Sequence, residues 1–117
     1  MTLPNGVLLN VIDVEKYAHK FTFPPPGKTS GEIHDHYCRE HEGRAIVTIG
    51  YGPDFAVIRS KGVLLNIPEM VRELRDEVVG AGVTGGGHLV VGSIKFVEGK
   101  RRDVLERLAE KIGAART

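Results

Sequence analysis

A chain of 117 residues has room for one hydrophobic core and little more, and its 41% apolar and 26% charged residues are ordinary for a globular domain. A formal charge of +1 excludes a grip on nucleic acid through a general excess of positive charge, so any phosphate site must be a local patch. Cys38 is the only cysteine, which excludes an intramolecular disulfide and a cysteine-built metal framework.

The opening residues lack the basic segment and long apolar core of a secretory signal. No apolar run approaches the ~20 residues a membrane-crossing helix needs, so the expectation is a cytoplasmic protein with no membrane partner. Residues 6–13 (GVLLNVID) form an apolar run between turn signals and predict a buried first strand. Pro24, Pro25 and Pro26 predict a stiff extended linker ending at Lys28 or Thr29. Thr29 or Ser30 then caps a helix from Gly31 to about Glu42, with Gly43 as its stop. Ile33, Tyr37 and either Cys38 or His41 share one face of it at helical spacing.

Residues 44–50 (RAIVTIG) and 54–60 (DFAVIRS) are β-rich runs separated by Tyr51, Gly52 and Pro53, the pattern of a hairpin, and Lys61 with Gly62 makes the next turn. Asn66 suits a helix N-cap, with Pro68 in the first turn, and Ile67, Met70, Val71, Leu74 and Val78 recur at the spacing of a buried helical stripe. Residues 80–88 hold five glycines in nine positions and read as a loop. Residues 89–97 (LVVGSIKFV) read as a strand with a bulge at Gly92. A last helix from about Lys100 to Ile112 buries Val104, Leu105, Leu108 and Ile112, with Gly113 ending it. Strands interleaved with helices predict a single α/β domain, a mixed sheet of about four to five strands flanked by helices.

Four places carry possible chemistry. In the glycine run, backbone N–H groups with no side chains around them could turn together toward an anion, with His88 directly behind; a plain connecting loop is the other reading. Arg59, at the end of a strand, could offer its fork to a phosphate, or simply be a solvated arginine before a turn. Gly27-Lys28-Thr29 imitates the end of a phosphate-binding GxxxxGK[ST] loop, but Thr22 stands where the first glycine is required, so triphosphate binding by that route is rejected. Lys28 could still meet a nucleic-acid backbone at the helix start. His34, Cys38 and His41 share a helical face and are zinc-type ligands, yet one helix segment rarely closes a metal site; the expectation is a small core cysteine and surface or boundary histidines, with no metal. No nucleophile–base arrangement or paired-carboxylate motif is readable, so no catalytic residue is expected in this chain.

The residues VIRS (57–60), an amphipathic helix, and then GVTGGGH (82–88) together resemble the DHH-associated domain of DHH-superfamily phosphoesterases. The stretches PPPGKTSGE (24–32), YGPDFAVIRS (51–60) and GGGHLVVGSIKF (85–96) are most similar to archaeal RecJ-like single-strand-specific exonucleases, including the GINS-associated nuclease. This resemblance covers nearly the whole chain. It implies a nucleic-acid-binding domain for residues 1–117, with manganese or magnesium on a catalytic DHH domain that the chain does not contain. It also implies that the chain is not active alone but belongs to a metal-dependent hydrolase of DNA repair or replication. The positions matching the family motifs, expected to hold single-stranded DNA or RNA by its phosphates, are Arg59, Ser60, Gly85, Gly86, Gly87 and His88. Lys28, Thr29 and Thr84 are secondary candidates. Where many relatives follow the motif histidine with a GxAAG-like run of small residues, this chain has Leu89, Val90, Val91 and Gly92. Two further readings are a module docking a nuclease onto a GINS-type replication factor, through a sheet edge or the face of residues 72–77, and a small phosphoester-binding protein.

Overall fold

Val and Ile crowd into short runs bounded by glycine, and those runs become the centre of a five-stranded sheet. The computed structural model describes residues 2–14, 26–63, 65–87 and 91–115; for 26–30, 87 and 91 the backbone alone is described. The strands are β1 (Leu8–Asp13), β2 (Ile46–Tyr51), β3 (Phe55–Lys61), β4 (Thr84–Gly87) and β5 (Val91–Lys95), in the order β1-β2-β3-β5-β4. β1 runs parallel to β2, and the other neighbours are antiparallel, so the sheet is mixed, as expected. Between the strands lie helices α1 (Pro26–Glu40), α2 (Ile67–Glu77) and α3 (Arg101–Ala114), with a 3₁₀ turn (Glu98–Lys100) leading into α3.

Side chains alternate across a strand, which splits the sheet into two faces. Val47, Ile49, Ala56, Ile58 and Ile94 join Ile67, Leu74, Val104, Leu108 and Ile112 in one buried core, so α2 and α3 cover that face. The other face carries Leu8 and Ile46, which pack with Cys38 and half-buried Tyr37 under α1. Residues of α1 lie against β2 and β3, whereas on that side Ser93, Lys95 and Thr84 of the last two strands are exposed. Among the described residues the sheet is therefore covered on one face and half covered on the other.

α2 is built as its spacing predicts. Asn66 caps it, its side-chain oxygen accepting from the Glu69 N–H at 3.1 Å, and Ile67, Met70, Val71 and Leu74 are buried. The hairpin of β2 and β3 also forms, with Gly52 N–H donating to the Phe55 carbonyl at 3.0 Å.

Five details depart from expectation. Pro26 and the four residues after it are the first turn of α1 rather than the end of a linker, since proline lacks only an N–H that a first turn leaves unbonded anyway; Pro24 and Pro25 lie outside the described residues. The face of α1 turned to the sheet is Gly31, His34 and Cys38, while Ile33 and Tyr37 are half buried. Residues 84–87 are the edge strand β4, not part of a loop. Gly92 sits in regular register, opposite Ile58 and Gly87, and its small size is explained by packing: a Cβ there would stand 2.8 Å from Ile67 Cγ2. Gly113 lies inside α3, where a Cβ would stand 3.3 Å from Pro4 Cδ.

Candidate functional site

The polar site grows from one row of the sheet and one face of α1. Arg59 of β3 pairs in register with Thr48 of β2, so the two side chains share the face that α1 covers. Positions 31, 34 and 38 fall on one side of a helix by their spacing, and all three are buried. Gly31 lies against the Arg59 guanidinium: a Cβ on Gly31 would stand 3.0 Å from Arg59 Cζ and Nε. His34 Nδ1 is 2.7 Å from Thr48 Oγ1, and His34 Nε2 is 3.5 Å from Cys38 Sγ, so both ring nitrogens are occupied.

His34 is thus not the surface or boundary histidine expected from sequence. Only 6% of it is exposed, because Thr48 offers a hydrogen bond in the interior that satisfies its ring. Burial lowers its pKa below the usual range; Asp35 pulls it back up, and Arg59 and Lys61 push it down again. The imidazole is a neutral structural bridge. Cys38 is a buried core residue as expected, its thiol pushed up by burial, with Lys61 opposing. His41 turns away and stacks on Tyr37, ring centroids 4.5 Å apart. Among the described residues, no group of three or more His, Cys, Asp or Glu stands close enough to hold a metal ion.

Beside this network an open cleft of about 520 Å³ separates α1 from the end of β3. Asp35, Arg39 and Glu42 line its helix side and Arg59, Ser60 and Lys61 its strand side, so cations outnumber carboxylates by one. Register puts Ser60 on the face opposite Arg59, beside Val47, and it is 6% exposed. Arg59 and Lys61, two residues apart, share a face. A multiply ionised ligand would meet them together.

The glycine motif reaches the same end of the sheet from the other side. Arg59 pairs with Val91, and Gly92, the next residue, pairs with Gly87. One strand therefore separates Arg59 from Gly87, a span of ~10 Å at ordinary strand spacing. Gly86 pairs with Ser93, on the same face as Arg59, and nothing stands within 4 Å of where its Cβ would be. Gly85 has φ +148° and a Cβ there would stand 2.2 Å from the Ser93 carbonyl oxygen, so only glycine fits. Because Thr84–Gly87 is an edge strand, half of its backbone groups bond to β5 and the other half face away from the sheet. Thr84 is exposed. Lys28 and Thr29 lie in the first turns of α1, and His88 lies outside the described residues.

Sequence reasoning missed Thr48 and Gly31. Thr48 gave no signal, being one polar residue in an apolar strand. Gly31 gives one only when the helix is known to begin at Pro26: a glycine inside a helix is disfavoured by ~1 kcal/mol relative to alanine, which points to a close neighbour.

No family model matches the chain. It is 47% identical over 116 residues to an uncharacterised protein of Methanocaldococcus jannaschii, MJ1198. The match takes in 94% of this chain and 15% of that protein. A solved structure described as the DHH domain of a member of the s1p family of ribosomal proteins superposes with a TM-score of 0.92 at 46% identity. That match spans 100% of this chain and 28% of the other. The chain therefore corresponds to a minor part of each longer protein, and its fold recurs within a chain described as a DHH domain, in line with a DHH-associated accessory domain.

Proposed function

We propose that this domain holds single-stranded DNA or RNA by its phosphates beside a metal site on a separate catalytic DHH domain. One observation carries the reading. Arg59 of VIRS and Gly87 of GGGH, the two motifs that resemble the family, are far apart in sequence yet lie at the same end of the sheet with only β5 between them. Arg59 supplies a fixed fork of donors for a phosphate. The outward-facing amides of β4 and the bare backbone at Gly86 let a sugar–phosphate chain approach without side chains in the way. His88 follows directly and would donate a hydrogen bond near the reacting phosphate. Manganese or magnesium would have its ligands on the catalytic domain, as the family resemblance implies. The similarity to a ribosomal-protein family member described by its DHH domain supports a nucleic-acid setting and keeps RNA alongside DNA as a ligand.

Fluorescence anisotropy of a labelled oligodeoxythymidylate, run as a salt series, tests this. Removing one charge-assisted hydrogen bond by Arg59→Ala weakens binding by about tenfold or more and lowers the salt slope by about 0.7. His88→Ala weakens binding while the fold is retained. Affinity and slope unchanged by both substitutions would discard the reading.

A further inference from the structure

Within α1, Gly31 is in the wrong place for a glycine. It is neither a cap nor a left-handed residue, and a helix interior disfavours glycine by ~0.5–1 kcal/mol relative to alanine. Its φ is outside the left-handed range, so backbone geometry does not ask for it. What asks for it is Arg59, whose Cζ and Nε would stand 3.0 Å, and Nη2 3.1 Å, from an added Cβ. Among the described glycines it is the one whose missing side chain is replaced by a charged head group at under 3.4 Å. Gly85 and Gly92, by contrast, yield their space to backbone and to the Ile67 side chain.

We propose that Gly31 is a positioning residue that seats the Arg59 guanidinium between α1 and the sheet and so aims its fork into the cleft. The proposal rests on the reading of Arg59 as a phosphate ligand. The neighbours leave one way to yield. An added Cβ would meet the end of a flexible side chain, so the guanidinium moves by a few tenths of an ångström while the backbone stays. Bidentate recognition depends on the direction of the fork as well as its charge. A guanidinium pushed aside keeps its charge in the cleft and loses its alignment. Gly31, within the PPPGKTSGE stretch, thereby acquires a role that neither Lys28 nor Thr29 has: it leaves the space in which the Arg59 guanidinium lies.

The test is a double-mutant cycle on the full chain with fluorescein-labelled oligodeoxythymidylate, read by anisotropy, with thermal midpoints measured alongside. Gly31→Ala is expected to weaken binding by about fivefold, as for a misaligned hydrogen bond to a charged group. Its melting temperature is expected at or above that of the parent, since alanine is the better helix former. In an Arg59→Ala background, adding Gly31→Ala is expected to change affinity by less than about twofold. Equal weakening in both backgrounds would overturn the proposal, because Gly31 would then act without Arg59. So would parental affinity for Gly31→Ala, or a fall in its melting temperature. If Arg59→Ala itself binds like the parent, the phosphate-ligand reading falls first and takes this one with it. The contact is then judged separately by the Arg59 Nε–Hε resonance, which must move in Gly31→Ala if the two residues touch as described.

Discussion

Gly85 and Gly86 are neighbours with opposite reasons to be glycine. Gly85 is forced by its backbone: at φ +148°, with the Ser93 carbonyl oxygen 2.2 Å from the Cβ position, any side chain strains the β4–β5 pair. Gly86 has open space there and lies on the Arg59 face. Gly85→Ala should therefore lose about 3 kcal/mol or more of stability, while Gly86→Ala should stay within about 0.5 kcal/mol and weaken oligonucleotide binding. Urea denaturation of the two variants checks the first contrast, and anisotropy the second. His34 makes a different kind of prediction. Its folded-state pKa lies below the unfolded value, so the unfolded chain takes up a proton first as pH falls, and stability declines through that window. Urea midpoints should drop between about pH 7.5 and about pH 5.5, and His34→Asn should flatten that slope. A slope unchanged by the substitution would show that His34 does not carry the linkage. The histidine's burial was not legible beforehand, because a polar residue at i−4 from a cysteine reads equally as surface until its partner, Thr48, is brought across from β2.

At the level of elements, local rules worked where packing and propensity agree. α2 combines a cap, an early proline and an apolar stripe, and every one of these signals was readable at Asn66, Pro68 and the positions from Ile67 to Leu74. Asn66→Ala should cost about 1 kcal/mol, seen as a lowered thermal midpoint with unchanged ligand affinity, since the cap sits on the far face of the sheet from the cleft. The misreadings share one cause, tertiary contact overriding local preference. Glycine has poor strand propensity, yet residues 84–87 form β4 because β5 lies alongside to pair with them and the glycines let the two backbones close up. Gly113 reads as a helix stop but is a packing glycine against Leu3 and Pro4, at the far end of the chain. Pro26 reads as linker because it ends a proline run, although its own position is the one a helix tolerates.

On the scale of the whole molecule, the ends of the described chain are tied together. The Asn5 side-chain amide donates to the carbonyls of Ile112 at 2.7 Å and Ala115 at 2.9 Å, adding to the Ala115 N–H that Ile112 already accepts at the end of α3. Between α2 and α3, Lys111 bonds to Glu73 and Glu77, and Arg107 reaches Glu77 at 3.7 Å. Asn5→Ala should lower stability by about 1–3 kcal/mol through the Ala115 carbonyl and the Val7 N–H that lose the Asn5 side chain, measured by urea denaturation, without touching the cleft. The strand order was the least legible feature. Nothing local in residues 84–95 says that β5 inserts between β3 and β4, and that insertion is what carries Arg59 and Gly87 to one end of the sheet. The motifs were readable as separate words; their meeting depends on topology. The most direct measurement is a ¹⁵N chemical-shift titration of the chain with oligodeoxythymidylate. Shifts concentrated at the Arg59 Nε–Hε group, at Lys61 and at the amides of residues 84–88, with α3 and β1 unmoved, are the predicted result. Shifts confined to α2 and α3, with Arg59 and the glycine strand silent, would contradict the phosphate grip.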